Sequence, residues 1–333
     1  MNEINAIVSD IKKGTLKPIY FLMGDEPYYI DKISDYIEEN VLDETEKGFN
    51  QQVMYGRDVT IEDIVGAAKR YPMMAEKQVL IVKEAQDLSR SIEKLISYAE
   101  HPQPTTVLVL NYKYKKLDKR KKLHKVVAKT GLVYESKKLY DNQVSDWIRR
   151  VLSGKKYQID PKAALMLVEF LGTDLSKIAN ELDKLMLVLP KETIITDAHI
   201  EENIGISKDF NNFELKKAIG EKNVLKANRI INYFVENPKK NPTVMTISLL
   251  NGFFTKLLLF HGLKDKSKNS VAKALGVSTY FVDEYFLAAR NFPMRKVAQV
   301  IAALRDADVK SKGVGANQTQ EDILKELLFK ILH

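Results

Sequence analysis

The chain has 333 residues, 45% of them hydrophobic and 29% charged, which indicates a globular protein of two or three domains. It contains no cysteine, so disulfides, thiolate metal sites and cysteine nucleophiles are excluded. The formal net charge is +8, but twelve acids and only three bases lie between Asp25 and Asp63, so the positive charge is concentrated elsewhere. This asymmetry fits either an ordinary solvated surface or a face that binds an acidic partner or nucleic acid.

The apolar segments of the sequence give no membrane signal. The first ten residues are helix-like and lack the cationic segment of a signal peptide. The longest apolar run, residues 247–259, is interrupted by Asn251 and Lys256 and is expected to fall short of a membrane span. We therefore expect a cytoplasmic protein without membrane contact, which the absence of cysteine also suits.

Up to Tyr140 the pattern alternates between strands and helices, which predicts a parallel sheet of the nucleotide-binding type. Thr60 and Asp63 form a capping-box pattern that predicts a helix from Ile61 to Tyr71, and Pro72 would end it. The five predicted strands are Ile19 to Met23, Gln52 to Tyr55, Val79 to Lys83, Val107 to Leu110 and Leu132 to Glu135.

The first strand ends in the turn of a phosphate-binding loop without the chemistry of one. Pro27 suits the first position of a helix capped by Asp25 or Glu26. A phosphate loop needs the pattern G-x-x-x-x-G-K-[ST], and the two acids would repel a polyphosphate. We therefore expect no cofactor at this degenerate loop. The loop residues are Gly24, Tyr29, Ile30, Asp31 and Lys32, and the template positions 29, 30 and 31 hold none of the required glycine, lysine and hydroxyl residues.

Two further positions bear on ATPase activity. An active ATPase of this type carries Asp-Glu at the end of its third strand, where the pair holds magnesium and polarises water. Here Lys83 stands in the place of the aspartate, although Glu84 is kept. Asn111 follows the predicted fourth strand and is either a polar sensor or a turn residue.

The densest positive charge lies in residues 113–125. An apolar stripe and an i,i+4 pair of Asp118 with Lys122 favour a solvated helix face. Tyr112 and Tyr114, which lie among the lysines, instead suit a nucleic-acid contact. The candidate contacts to a DNA backbone are Lys113, Lys115, Lys116, Lys119 and Arg120.

After Tyr140 the sequence predicts almost only helices, in a small domain of residues 141–209 and a larger one of residues 210–333. Residues 271–282 would pass as a helix-turn-helix, but the second helix carries acids and aromatics where base-reading residues are expected. The five histidines show no metal-ligand spacing, and no Ser/His/Asp set is evident. We therefore predict no catalytic residue and no metal.

Four motifs follow one another along the chain, namely YFLMGDEP (20–27), YPMMAEKQVLIV (71–82), GTDLSKIANELDKL (172–185) and LRDADVK (304–310). By the order and spacing of these motifs, the chain resembles the delta subunits of the bacterial DNA polymerase III clamp loader. The resemblance spans essentially the whole chain.

The resemblance implies an α/β plus all-α fold, made of a degenerate AAA+-type domain (1–140), a helical lid (141–209) and a helical collar (210–333). It also implies a hetero-pentamer with gamma/tau and delta-prime subunits within the polymerase holoenzyme. In that family, delta binds no ATP of its own, and partner subunits bind and hydrolyse it, so no intrinsic activity is expected. It binds the sliding clamp and opens its ring for loading onto primer-template DNA.

The clamp contact implied by the resemblance is a pair of large apolar residues after the second helix, which enters a hydrophobic pocket on the clamp. Met73 and Met74 match those positions, and Lys69, Tyr71 and Pro72 are their expected neighbours. Methionine is polarisable and flexible, which suits such an anchor. Some relatives have a leucine and an aromatic residue here, a difference that concerns affinity more than role. Two other functions stay open, namely an active AAA+ ATPase and a sequence-specific helix-turn-helix protein.

Overall fold

The computed structural model describes residues 2–205, 207, 209–314 and 318–333. The chain forms two compact units, Met1–Leu139 and Tyr140–His333. Because the second unit is compact as a whole, the division at residue 209 into a lid and a collar stays a prediction.

The first unit alternates strands with helices. Two short 3₁₀ turns, Ala85–Leu88 and Ile92–Leu95, precede the fifth helix. In chain order its elements are α1 (Asn2–Lys12), β1 (Ile19–Gly24), α2 (Pro27–Asn40), α3 (Glu44–Asn50), β2 (Gln51–Tyr55), α4 (Ile61–Ala68), β3 (Gln78–Lys83), α5 (Ile96–Ala99), β4 (Thr106–Lys113), α6 (Lys122–Thr130) and β5 (Leu132–Ser136).

The five strands form one parallel sheet in the order β2-β3-β4-β1-β5, which confirms the predicted sheet. In register, Phe21 of β1 pairs with Leu110 of β4 and with Val133 of β5. All six residues of β1 are buried, as expected of a strand with helices on both faces of its sheet. The order makes β4 the middle strand, β1 an interior strand between β4 and β5, and β2 an edge strand, and the carboxyl ends of β3, β4 and β1 lie side by side.

One face of the sheet carries a continuous apolar core. Side chains such as Phe21, Leu80 and Leu110 point into it from the strands, and Ile64 of α4 and Val127 of α6 close it. Helix α2 packs on β1, β3, β4 and β5. These contacts fix the turns at the carboxyl edge of the sheet, where most of the candidate residues lie.

The second unit is almost entirely helical, with one short pair of parallel strands. The turn Thr279–Phe281 is 3₁₀. Its elements are α7 (Asp141–Gly154), β6 (Gln158–Ile159), α8 (Pro161–Leu171), α9 (Leu175–Val188), β7 (Ile194–Ile195), α10 (Asp197–Ile204), α11 (Asn212–Gly220), α12 (Val224–Glu236), α13 (Thr243–Gly262), α14 (Lys268–Leu275), α15 (Val282–Asn291), α16 (Met294–Ser311) and α17 (Gln320–Leu332).

Helix α13 is central to a core shared with α11, α12 and α14 to α17. By length and composition alone, this 20-residue helix could cross a membrane. The expectation that the segment falls short of a membrane span is therefore wrong on these two criteria. Phe253, Phe254 and Leu257 nevertheless pack into the helical core. Burial of this kind is typical of the core helix of a helical domain.

Helix α14, a left-handed Gly276 (φ 62°) and α15 form a helical corner where the sequence shows the helix-turn-helix pattern. Ser278 begins the second half by accepting a hydrogen bond from the Tyr280 N–H. On α15, Asp283 forms an ion pair with Lys268 at 2.8 Å. An acid paired in this way is a poor reader of DNA bases.

Candidate functional site

The loop that joins α4 to β3, residues 69–77, forms an exposed apolar tip. Tyr71 is 77% exposed, Met73 is 62% exposed and Met74 is fully exposed. Pro72 lies between them and is partly buried, and Lys69 is exposed at the end of α4. The structure thus brings all five predicted tip residues together in one loop, with the methionine side chains largely in solvent.

The backbone of the tip is held by a residue that sequence reasoning missed. Asn50, at the end of α3, accepts a 2.6 Å hydrogen bond from the Met73 N–H and donates a 2.9 Å bond to the Met73 carbonyl. Met74 follows in the left-handed region at φ 55°. That conformation costs a residue other than glycine about 1–2 kcal/mol and persists only where its surroundings enforce it.

The base of the tip is anchored by side chains from two strands. Buried Gln78 of β3 donates to the carbonyl of Arg70 at 2.6 Å and to the Thr106 hydroxyl at 2.7 Å. The Thr106 hydroxyl in turn donates to the carbonyl of Ala68 at 2.8 Å. These bonds satisfy carbonyl groups at the end of α4, which therefore need no further helical turn.

The same bonds explain one incorrect prediction. The helix begins at Ile61 behind the predicted Thr60 and Asp63 capping box, but it ends at Ala68 and not at Tyr71. Tyr71 consequently belongs to the tip. The earlier end lengthens the exposed loop by three residues.

The degenerate phosphate loop uses its own polar groups. The Gly24 N–H donates to the Lys115 carbonyl at 3.1 Å, and the Asp25 N–H donates to the Ser136 carbonyl at 3.0 Å. Glu26 caps α2 by accepting from the Tyr28 N–H at 3.1 Å, as the sequence predicted. Backbone N–H groups that a phosphate loop would point at its ligand are thus bound within the protein.

Side chains at the template positions agree with this closure. Tyr29 and Ile30, which replace the second glycine and the lysine, are buried on the inner face of α2. Lys32 is exposed, and its ammonium lies 5.7 Å from the ring centre of Tyr28. Gly24 is required for a different reason, since a Cβ there would lie 2.0 Å from the Ser136 carbonyl oxygen.

A lysine ammonium lies between the acids at this edge of the sheet. The Nζ of Lys113 is 2.9 Å from Asp31, at the template's hydroxyl position, and 2.9 Å from Glu84, which follows β3. The Lys113 side chain is only 14% exposed. Lys83, which replaces the expected aspartate, pairs with Glu38 of α2 at 3.1 Å. The carboxylates that a metal ion would need are therefore already paired with lysine ammonium groups of the same chain.

These ion pairs shift the pKa values of their members. Burial disfavours the charged form of Glu84, but hydrogen bonds from Lys113 and Gln86 outweigh it and hold the pKa of Glu84 below its ordinary value. Burial likewise disfavours the charged form of Lys113, yet Asp31 and Glu84 raise its pKa overall. Glu84 and Lys113 are therefore both ionised at neutral pH.

The other predicted DNA-contact residues lie in the segment between β4 and α6 and are also engaged. Lys115 donates to the Ser89 hydroxyl at 2.7 Å, and Lys116 pairs with Asp25 at 2.6 Å and with Glu135 at 3.3 Å. The most exposed members are Lys119 and Arg120, which pair with Glu135 and Asp118, respectively.

Two details of this segment differ from the sequence predictions. Asp118 precedes α6, so its partner is Arg120 at 2.7 Å, and Lys122 pairs instead with Glu100 at 2.8 Å. The predicted i,i+4 pair is wrong because residue 118 is not helical. Tyr112 is buried in the core, and only Tyr114 is exposed.

Asn111 lies inside β4 and not in a turn after it. It is 1% exposed, and within the described part of the chain neither side-chain atom has a hydrogen-bond partner. Among the described residues, no group of three His, Asp or Glu side chains is placed to hold a metal ion.

Comparison with known proteins identifies the family. The model described as "DNA polymerase III, delta subunit" matches residues 20–137, and the model of the "DNA polymerase III delta subunit, C-terminal domain" matches residues 209–330. The chain belongs to the DNA polymerase III delta-subunit family. Both the parallel-sheet unit and the helical unit contain family-matched segments.

Similar proteins support the assignment over nearly the whole length. A DNA polymerase III subunit delta of Bacillus subtilis (strain 168) is 27% identical over 314 residues, which are 91% of this chain and 90% of the relative. One from Buchnera aphidicola subsp. Acyrthosiphon pisum (strain APS) is 23% identical over 338 residues, 96% of this chain and 98% of the relative. The solved Bacillus subtilis DNA clamp loader delta protein (YqeN) shares the fold, with a TM-score of 0.57 at 24% identity over 99% of both chains.

Proposed function

We propose that this member of the delta-subunit family binds the ring-shaped sliding clamp through the tip of residues 69–77 and favours an open ring, so that the clamp can be loaded onto primer-template DNA. The observation that carries the proposal is the exposure of Met73 and Met74 on a backbone held from inside the protein. A contiguous exposed apolar patch often marks a protein–protein interaction site, and Tyr71 extends the patch formed by the two methionines.

The tip acts by differential binding. Burying one methionine side chain in an apolar pocket is worth about 1.5–3 kcal/mol. If the pocket accepts both side chains only when one ring interface is sprung, this free energy shifts the clamp toward the open state. Tyr71, Pro72 and Lys69 form the rim of the contact.

ATP is bound and hydrolysed by partner subunits, and this chain has no intrinsic ATPase activity. Two features of the degenerate phosphate loop support this. The backbone N–H groups of Gly24 and Asp25 donate to carbonyl groups of the same chain, and Lys113 forms ion pairs with Asp31 and Glu84. An active ATPase is therefore disfavoured. The helix-turn-helix alternative is disfavoured by the acids of α15.

The partners follow from family membership. We assign the helical residues 210–333 to a collar that joins gamma/tau and delta-prime subunits in a hetero-pentamer, as part of the polymerase III holoenzyme in the cytoplasm. Primer-template DNA would pass near residues 113–120. Among these, Lys119 and Arg120 are the best placed to exchange their present partners for phosphates, because both side chains are largely exposed.

The proposal is tested by clamp binding. The clamp encoded in the same genome is immobilised, and wild type is compared with the Met73→Ala/Met74→Ala variant by surface plasmon resonance. We expect at least a hundredfold loss of affinity, because two apolar anchors are truncated. Leu187→Ala/Val188→Ala, which alters another exposed apolar pair, is the control and should bind as wild type. Normal binding by the tip variant would refute the proposed site.

A further inference from the structure

Asn50 connects the tip to the body of the sheet unit. It is the last residue of α3, it is 4% exposed, and the residue that it holds, Met73, is 23 positions away. Its Nδ2 donates a second bond to the Glu46 carbonyl at 3.2 Å. The whole amide is thus used, with one bond inside its own helix and two on the tip.

The side chain has the chemistry that this role needs. A carboxamide offers a donor and an acceptor side by side, so it satisfies the N–H and the carbonyl of one residue at once. An aspartate would keep the acceptor and lose the donor, and an apolar residue would offer neither. The two bonds fix both peptide groups of Met73, and the second of them leads into the left-handed residue Met74.

Because the left-handed conformation is unfavourable for methionine, a tip without this restraint would populate other backbone conformations. In those conformations Met74 would no longer follow Met73 in the observed direction. The two methionines would then have to be ordered at the moment of binding. The apparent affinity would fall in proportion to the fraction of molecules whose tip already has the binding-competent conformation.

We infer that Asn50 is a positioning residue for the clamp-binding tip: its paired hydrogen bonds to Met73 hold the left-handed turn at Met74 and so pre-order both methionines for docking. The inference rests on the proposed function, and it adds helix α3 to the elements that determine clamp affinity.

The test compares Asn50→Ala and Asn50→Asp with Asn40→Ala. Asn40 lies exposed at the end of α2 and donates to the carbonyl four residues earlier, as Asn50 does, but it makes no described contact with the tip. Thermal unfolding is measured first, and all assays are run where each variant is fully folded. The aspartate variant keeps the size of the side chain, so the test does not depend on a cavity-forming change.

Two readouts are taken on the full chain. The first is affinity for the immobilised clamp, where we expect about a tenfold loss in each Asn50 variant and none in Asn40→Ala. The second is mobility of a nitroxide attached at Glu76→Cys, an exposed position in a chain with no other cysteine. Both Asn50 variants should give a more mobile spin label, without the clamp present.

Folded Asn50 variants that bind like wild type would overturn this inference and leave the proposed function standing. Unchanged label mobility would also overturn it, since a merely structural Asn50 would alter stability without releasing the tip. If wild type itself fails to bind the clamp, the proposed function fails and this inference fails with it.

Discussion

The Lys113 ammonium lies 2.9 Å from the carboxylate of Asp31. Asp31 stands where a working phosphate loop has its magnesium-binding hydroxyl, and Glu84, the second partner of Lys113, stands at the end of β3. The Lys113 side chain, which extends from the end of β4, thus links α2 to the end of β3. These ion pairs form within the folded chain, whereas a metal–nucleotide complex would bind and dissociate.

Replacing this lysine should destabilise the sheet unit. In Lys113→Met, two carboxylates lose their shared partner, and we expect a loss of about 2 kcal/mol in the free energy of unfolding, below the value for fully buried pairs because both acids are more than a third exposed. Urea unfolding followed by circular dichroism measures it. Lys94→Met, which breaks the exposed pair with Glu62, should show no measurable change. Equal stability of Lys113→Met and wild type would show that the cluster is not stabilising.

The contribution of the cluster should depend on pH at both extremes. The pKa of Glu84 is held below its ordinary 4.5, so its stabilisation is present above that value and is lost as pH falls through the lowered pKa. The pKa of Lys113 is raised above 10.5, so its stabilisation is lost as pH rises through the raised pKa. The difference in unfolding free energy between wild type and Lys113→Met should be constant between about pH 5 and pH 10. A difference that varies within this window would contradict the assignment.

Glu169 of α8 should destabilise the helical unit near neutral pH. Burial raises its pKa to about 7 from 4.5, with Lys216 opposing and Glu284 reinforcing the shift. Between these values the folded state retains a proton that the unfolded state releases, so stability falls as pH rises. Glu169→Gln should therefore stabilise by about 2 kcal/mol at pH 8 and by little at pH 4. Thermal melts at both pH values measure it, with the exposed Glu202→Gln as control, and a gain that does not depend on pH would refute the titration.

Lys119 and Arg120 should contribute to DNA affinity without sequence preference. In the assembled clamp loader, Lys119→Ala/Arg120→Ala should weaken primer-template binding and reduce the slope of log K against log salt by about 0.9 for each phosphate that is no longer neutralised. Fluorescence anisotropy at several salt concentrations gives this slope. An unchanged slope would show that neither side chain binds phosphate.

The sequence predicted all five strands and the almost entirely helical second half, because apolar runs, caps and prolines are local signals. The role of Met73 and Met74 as a clamp contact came from the resemblance to the delta subunits and stays a prediction, although both side chains lie exposed in the loop after α4. The earlier end of α4 could not be predicted, because it depends on Gln78 and Thr106, which belong to other elements.

The supporting contacts were out of reach for the same reason. Asn50 ends the short helix α3, and its partner Met73 lies 23 positions further along the chain, so their bonds depend on the packing that places β2 beside β3. Lys113 looked like one of many surface lysines until the sheet brought β3 and β4 together beside α2. Asn111 looked like a turn residue, but strand pairing continues through it.

The most direct test of clamp opening by the tip is release of a clamp from closed circular DNA. The clamp is loaded onto a circle and incubated with this chain alone, without ATP, and the clamp that stays on DNA is measured after gel filtration. We expect rapid release by wild type and by Leu187→Ala/Val188→Ala, and none by Met73→Ala/Met74→Ala. Release that requires ATP, or that persists in the tip variant, would contradict ring opening by the two methionines.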